Sequence, residues 1–273
     1  MIALTEQIAE YAAKLRYEDL PGNVIEVQKR SLADGLACMV AGTGYSKESR
    51  LFTSYALSQS RGGRCTLLGS DEKTLPGLAA LANGALSHVL DFEDSHEKAL
   101  VHPNAVSIPT LMALAQETGN ISGKEFLTAM VVASDVCCRL DLAIKEDLLK
   151  YGWNMPPIHG GMGAVMGAAN MLTLDAGQIQ DAIAIQMTSM SSSGQAALSR
   201  DSVIRAVRDG FAAQSAVGAV LLAREGLPAR FDRALEGELG YFHAYARGHY
   251  EPEAVLEGLG ERFESANISF KPW

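Results

Sequence analysis

No run of basic residues interrupts this chain. Acids outnumber Lys and Arg by 32 to 23, which leaves a formal net charge of −9 and a pI near 5.2. A nucleic-acid partner needs a basic stripe to neutralise phosphates, so none is expected, although a local basic spot can still hold a small anion. Cysteine is scarce: Cys38, Cys65, Cys137 and Cys138 show no CxxC spacing and make no disulfide framework. The vicinal pair Cys137-Cys138 reads as small buried apolar residues rather than a redox or metal pair. No stretch approaches the roughly 18 apolar residues of a membrane span; the longest candidate, 212–223, contains Gln214 and Ser215 and ends at Arg224. Glu6 and Glu10 precede any long apolar run, unlike a secretory signal. These absences predict a soluble, cytoplasmic protein with no membrane partner. GxxxxGK[ST], HExxH and GxSxG are also missing, and the glycines of Gly160-Gly161-Met162-Gly163 follow no strand, which argues against a dinucleotide site.

What remains is ordinary globular composition, 48% hydrophobic and 20% charged over 273 residues, with a helical period almost throughout. Thr5 is placed to cap a first helix, with Ile8, Tyr11, Ala12 and Leu15 at helical spacing. Further helices are predicted over about 24–41, 48–58, 75–90, 108–118, 123–149, 162–172 and 175–190, the last with Asp175 as its cap, and over 203–225. Segments 75–90 and 162–172 are rich in Ala and Gly, so neighbouring backbones should approach them closely. Only Cys65-Thr66-Leu67-Leu68-Gly69 leans towards strand, and it is too short to found a sheet. Strands alternating with helices are absent, which excludes Rossmann and TIM architectures. The expected fold is an all-α multi-helix bundle with at most a short β-hairpin, one domain over 1–273.

Three polar clusters interrupt the helices. The segment from Asp91 to Ala105 holds Asp91, Glu93, Asp94, His96 and His102. It reads either as a solvated acidic turn or as an acid/base cluster, because a carboxylate beside an imidazole fixes its tautomer and raises its basicity. Carboxylates two apart with a distant His match no standard metal spacing, and no metal or other cofactor is expected. Tyr151 to Gly161 is a rigid aromatic and Pro-rich loop carrying Asn154 and His159; it opens a helix, with His159 either satisfied in the interior or functional. From Arg200 to Gly210, Arg205 and Arg208 lie three apart on one helix face, suited to holding a carboxylate or to pairing with Asp201 and Asp209.

At these clusters the sequence resembles the MmgE/PrpD family. The matching pieces are Leu32-Ala33-Asp34-Gly35-Leu36-Ala37, Ala80-Leu81-Ala82-Asn83-Gly84-Ala85, Asp91-Phe92-Glu93-Asp94, His102-Pro103, Ile158-His159-Gly160 and Asp209-Gly210-Phe211-Ala212-Ala213-Gln214, in that order. The resemblance implies a helical domain that dimerises. It also implies cofactor-free proton transfer beside a carboxylate, on small di- or tricarboxylates: a lyase or isomerase module for dehydration, decarboxylation or epimerisation. It carries Asp91 and His102 over as catalytic residues. Asn154 stands where the family pattern has His, and Arg205 where it has Lys, so both become substrate-binding candidates with Arg208, and His159 becomes the candidate replacement imidazole. In the family a smaller α/β domain follows after a Lys-Pro-aromatic stretch. Here Phe270-Lys271-Pro272-Trp273 closes the sequence, so the expectation is a helical domain without that lid. The chain is then one half of a split enzyme whose lid is a separate polypeptide, or a fragment, or a non-catalytic interaction subunit.

Overall fold

The computed structural model describes residues 3–272. In chain order the helices are α1 (Leu4–Lys14), α2 (Gly22–Tyr45), α3 (Lys47–Gln59), α4 (Pro76–His88), α5 (Pro103–Thr118), α6 (Gly123–Leu142), α7 (Pro156–Met171), α8 (Ala176–Met187), α9 (Gln195–Leu198), α10 (Ile204–Val207), α11 (Asp209–Arg224), α12 (Tyr241–Ala246) and α13 (Pro252–Leu256). The hairpin β1 (Cys65–Thr66) to β2 (Lys73–Thr74) matches the one β-leaning run of the sequence. A second pair was not expected: β3 (Ser95–His96) lies antiparallel to β4 (Ile268–Ser269), with His96 opposite Ile268. The all-α expectation otherwise holds, and no helix is long and apolar enough to cross a membrane.

Several boundaries follow local chemistry that periodicity does not register. Thr5 is no cap: Ala3 takes that position, and the buried Thr5 hydroxyl donates to Glu236 Oε2 at 2.6 Å while accepting from the Leu235 amide. Ser122 and Asp175 do cap α6 and α8, each in a reciprocal capping box. The helix predicted over 203–225 breaks at Arg208 into α10 and α11. Helix α5 starts at Pro103, five residues before its predicted start, since proline is tolerated in a first helical turn where its missing N–H is no loss.

The central helices are α4, α5, α6, α7 and α11, and their small residues permit the contact. In α7 every residue from Pro157 to Met171 is buried. A Cβ at Gly163 would lie 2.2 Å from the Ala133 carbonyl oxygen of α6, and one at Gly167 would lie 2.4 Å from that of Ala129. Where α4 meets α11, a Cβ at Gly210 would lie 2.3 Å from the Leu81 carbonyl oxygen.

This packing predicts opposite outcomes for two helical glycines. Gly163→Ala forces α6 and α7 apart and should cost about 1–3 kcal/mol, as overpacked cores do. Gly218→Ala in α11 meets nothing within 4 Å and should be neutral or stabilise by up to about 1 kcal/mol. Urea unfolding of the two variants checks this; equal stabilities would refute close α6–α7 packing.

Candidate functional site

The first polar cluster forms where α4 ends. The Asp91 amide donates to the His88 carbonyl at 2.9 Å, and Asp91 adopts a left-handed backbone, φ 50°, which Asp tolerates better than most residues. This turn leaves its carboxylate 43% exposed. Arg205 Nη1 donates to Asp91 Oδ2 at 2.9 Å. Lys271 Nζ donates to the Asp91 carbonyl at 2.6 Å and lies 3.5 Å from Oδ1. Burial tends to raise the Asp91 carboxyl, but the Arg205 hydrogen bond and the charges of His88, Arg205 and Lys271 outweigh it and hold it down to about 2.

His102 stands at the N-cap of α5, fixed by Pro103 in the first turn. Its Nδ1 faces two acceptors, the Asp94 carbonyl at 3.1 Å and Glu93 Oε1 at 3.4 Å. Nδ1 therefore carries the proton, and in the neutral ring the Nε2 lone pair faces Asp91 Oδ1 at 3.7 Å. Burial, assisted by the charges of His88 and Lys271, pulls its pKa down against the opposing pull of Glu93. The result is a neutral imidazole near pH 7, a proton acceptor beside an ionised carboxylate and two cations. Behind it, Asp94 is fully enclosed, accepts from Asn104 Nδ2 at 2.7 Å, and is pushed by burial up to about 7.

Arg208 sits beside this group. Its Nη1 donates to the Arg205 carbonyl at 2.6 Å, its Nε is 3.9 Å from Asp209 Oδ2, and it lines a cavity of about 420 Å³ with Gln186, Ser191, Ser192, Ser193 and Ser215. Of the six residues singled out in the sequence, Asp91, His102 and Arg205 thus meet directly and Arg208 adjoins them. Asn154 and His159 do not join them. They line a separate cavity of about 430 Å³ with Asp141. His159 is fully buried, its Nδ1 2.6 Å from the Tyr241 hydroxyl and its Nε2 3.3 Å from Asp141 Oδ1. Its position in α7 turns the ring towards α12 and the end of α6, and no hydrogen bond or ion pair among the described residues links it to Asp91 or His102.

Three members of the group escape sequence reasoning: His88, Glu93 as an imidazole partner, and Lys271. His88 had a faint signal, a lone ionisable residue in a helix of Ala, Gly and Leu. Lys271 had none locally, because the β3–β4 pairing that brings it here joins residues far apart in the chain. His88, Asp91, Glu93 and His102 each offer one ligand atom within 4.8 Å of the others. However, Glu93 Oε1 already serves both imidazoles, and Asp91 is neutralised by Arg205 and Lys271.

The fold and site define an all-helical domain with a partly open histidine–carboxylate pair under two cations. The chain belongs to the MmgE/PrpD family: the MmgE/PrpD N-terminal domain matches residues 6–253. Curated relatives include a cis-aconitate decarboxylase-like protein of Aspergillus oryzae, 28% identical over 98% of this chain and 58% of the relative. The cis-aconitate decarboxylase of Aspergillus terreus is 26% identical over 98% of this chain and 56% of its own length, and the human one 28% identical over 98% and 56%. The chain spans about half the length of the curated relatives it matches.

The Asp91 environment predicts a titration. Arg205→Gln removes the hydrogen bond that holds the carboxyl near 2, so its midpoint should rise towards the ordinary value of about 3.9. Carboxyl-resolved NMR titration measures it, and an unmoved midpoint would show that Arg205 does not govern this acid.

Proposed function

We propose that this chain carries the acid–base half of a lyase- or isomerase-type site for small di- or tricarboxylates. The carrying observation is the meeting of His102 Nε2 and Asp91 at 3.7 Å beside Arg205 and Lys271. On this reading the cations hold a substrate carboxylate, and the neutral His102 exchanges a proton at the carbon next to it. Arginine's planar fork suits carboxylate but is a very poor acid or base, so proton transfer falls to His102, with Asp91 as orienter or second base. Arg208 and the serine-lined cavity receive a further carboxylate arm, while Asn154, in its separate cavity, takes no part in holding that substrate. His159 serves the fold through Tyr241 and Asp141. The names of the relatives make cis-aconitate the first probe. A lid from an α/β polypeptide would exclude water and strengthen the electrostatics. The alternative reading, an interaction subunit without catalysis, draws on Asn154 and Arg205 standing where the family has His and Lys.

Thermal-shift titration with cis-aconitate, citrate and 2-methylcitrate, with and without such a polypeptide, tests binding. A ligand at 100 times Kd stabilises by about 2.7 kcal/mol. His102→Ala should keep the binding shift and abolish proton exchange or turnover, whereas prior EDTA treatment should change neither. An active His102→Ala protein, or activity lost with EDTA and restored by a metal, would overturn the reading; no response to any acid would favour the interaction subunit.

Assembly is part of the proposal. Leu51 is 65% exposed, and Phe211 50% and Tyr55 49% exposed, around an apolar depression shared with Phe52 and Leu81. An apolar cluster of this kind marks an interface, and two-fold pairing is the commonest way to cover one. Light scattering should give about twice 29.1 kDa, with Phe211→Asp shifting the mass downward. A monomer at micromolar concentration would reject this.

A further inference from the structure

An ionisable ring is sealed inside the small-residue helix α4. His88 is 0% exposed and Glu93 2%, yet the two are hydrogen bonded, His88 Nδ1 to Glu93 Oε1. The same oxygen lies 3.4 Å from His102 Nδ1. The two imidazole centroids are 5.0 Å apart with their planes inclined by 54°. One buried carboxylate oxygen thus lies against two histidines, one sealed and one partly exposed. Enclosing an ion is costly unless it is paired, and hydrophobic residues would fill the space more cheaply, so the pair points to a role other than packing.

We propose that Glu93 and His88 are positioning residues for His102: the shared Glu93 oxygen, together with the Asp94 carbonyl, holds the Nδ1–H tautomer and so aims the Nε2 lone pair towards Asp91, while His88 balances the charge of that carboxylate. The inference rests on the proposed acid–base role of His102, but its geometry stands without it. Asp91 and Lys271 face His102, and Arg205 reaches it through Asp91. Asp209 and Arg208, at the start of α11, face His88, and Asp34 of α2 and the buried Asp94 lie near Glu93. Within this set Glu93 favours protonated His102 and His88 opposes it. Removing one or the other should therefore move His102 in opposite directions, a signature that loss of packing does not produce.

The test is nitrogen-15 NMR of histidine-labelled full chain, followed by turnover where an active form is available. In the unaltered protein His102 should show the Nδ1–H tautomer; a dominant Nε2–H tautomer would overturn the proposal without any variant. Glu93→Gln should lower the His102 midpoint and raise its Nε2–H fraction. His88→Gln, which retains a donor for Glu93, should raise that midpoint, each by roughly one pH unit for a charge at this range. If either variant does not fold, the wild-type tautomer and the remaining variant still decide. Midpoints that stay at the wild-type value, or move in the same direction, would overturn it. The acid limb of the pH–rate profile should follow these midpoints. If no acid is turned over while the NMR signatures hold, the functional reading fails and the positioning pair survives. If turnover needs His102 but its pH profile ignores both substitutions, the positioning pair fails and the functional reading survives.

Discussion

At the crossing of α4 and α11 the two backbones touch. A Cβ on Gly84 would lie 2.7 Å from the Gly210 Cα, and one on Gly210 would lie 2.9 Å from the Ala85 amide nitrogen. Helix α4 ends at His88, three residues before Asp91, and α11 begins at Asp209, just after Arg205 and Arg208. The crossing therefore sets the distance between a carboxylate from one element and a guanidinium from the other, the 2.9 Å contact of Asp91 with Arg205. Interiors at crystal-like density do not absorb an added methyl group without displacement, and a shift of an ångström would break that contact. The alanines and glycines of these helices are thus electrostatic requirements as much as packing ones.

A second anchor brings in Lys271. Arg139 is fully buried in α6. Its Nε donates to Asp135 Oδ2 at 2.8 Å, and its Nη1 to the Val255 and Glu257 carbonyls at 2.9 and 3.0 Å. Asp135 in turn accepts from the Tyr11 hydroxyl and the Glu264 amide. A buried ion pair alone is weak evidence for stability, but here the neighbouring backbone groups complete the hydrogen bonding, and the C-terminal segment is tied to the bundle. From that tie the chain runs into β4, pairs with β3 and delivers Lys271 to Asp91. The site is assembled from the end of α4, the start of α5, the α10–α11 break and the last described residues, with central helices beneath them all.

That division explains what could be read in the sequence. Helical period and Ala/Gly content are local, so the all-α fold and the close contacts of α4 and α7 were legible. Asp91, His102 and Arg205 could be singled out because all three lie in polar segments between helices, and the structure brings them together. The long-range terms were not. The β3–β4 pairing rests on two residues in each strand, too short for any periodic signal. Glu93 looked like one acid among several, because its burial depends on how the loop folds back over α4. That His159 lies apart from Asp91 and His102 was not legible, because spacing along a helix gives a height but not the facing partner, here Tyr241 and Asp141.

The same geometry divides labour within the proposed chemistry. Arg205 and Asp91 are each 43% exposed, and a pair so wetted contributes little, about 0–1 kcal/mol. A ligand carboxylate that engages the guanidinium in bidentate fashion can therefore replace Asp91 at small cost. Replacement removes the hydrogen bond that most lowers Asp91 and leaves the carboxylate free to act on His102 or on the substrate. On the proposed reading, arginine at 205 is no proton shuttle but a clamp whose engagement would release a base. The chain's negative charge would otherwise repel a polycarboxylate. On the proposed reading Lys271 and Arg205, both held against Asp91 beside His102, provide a local cationic exception where a small polyanion would meet a proton acceptor.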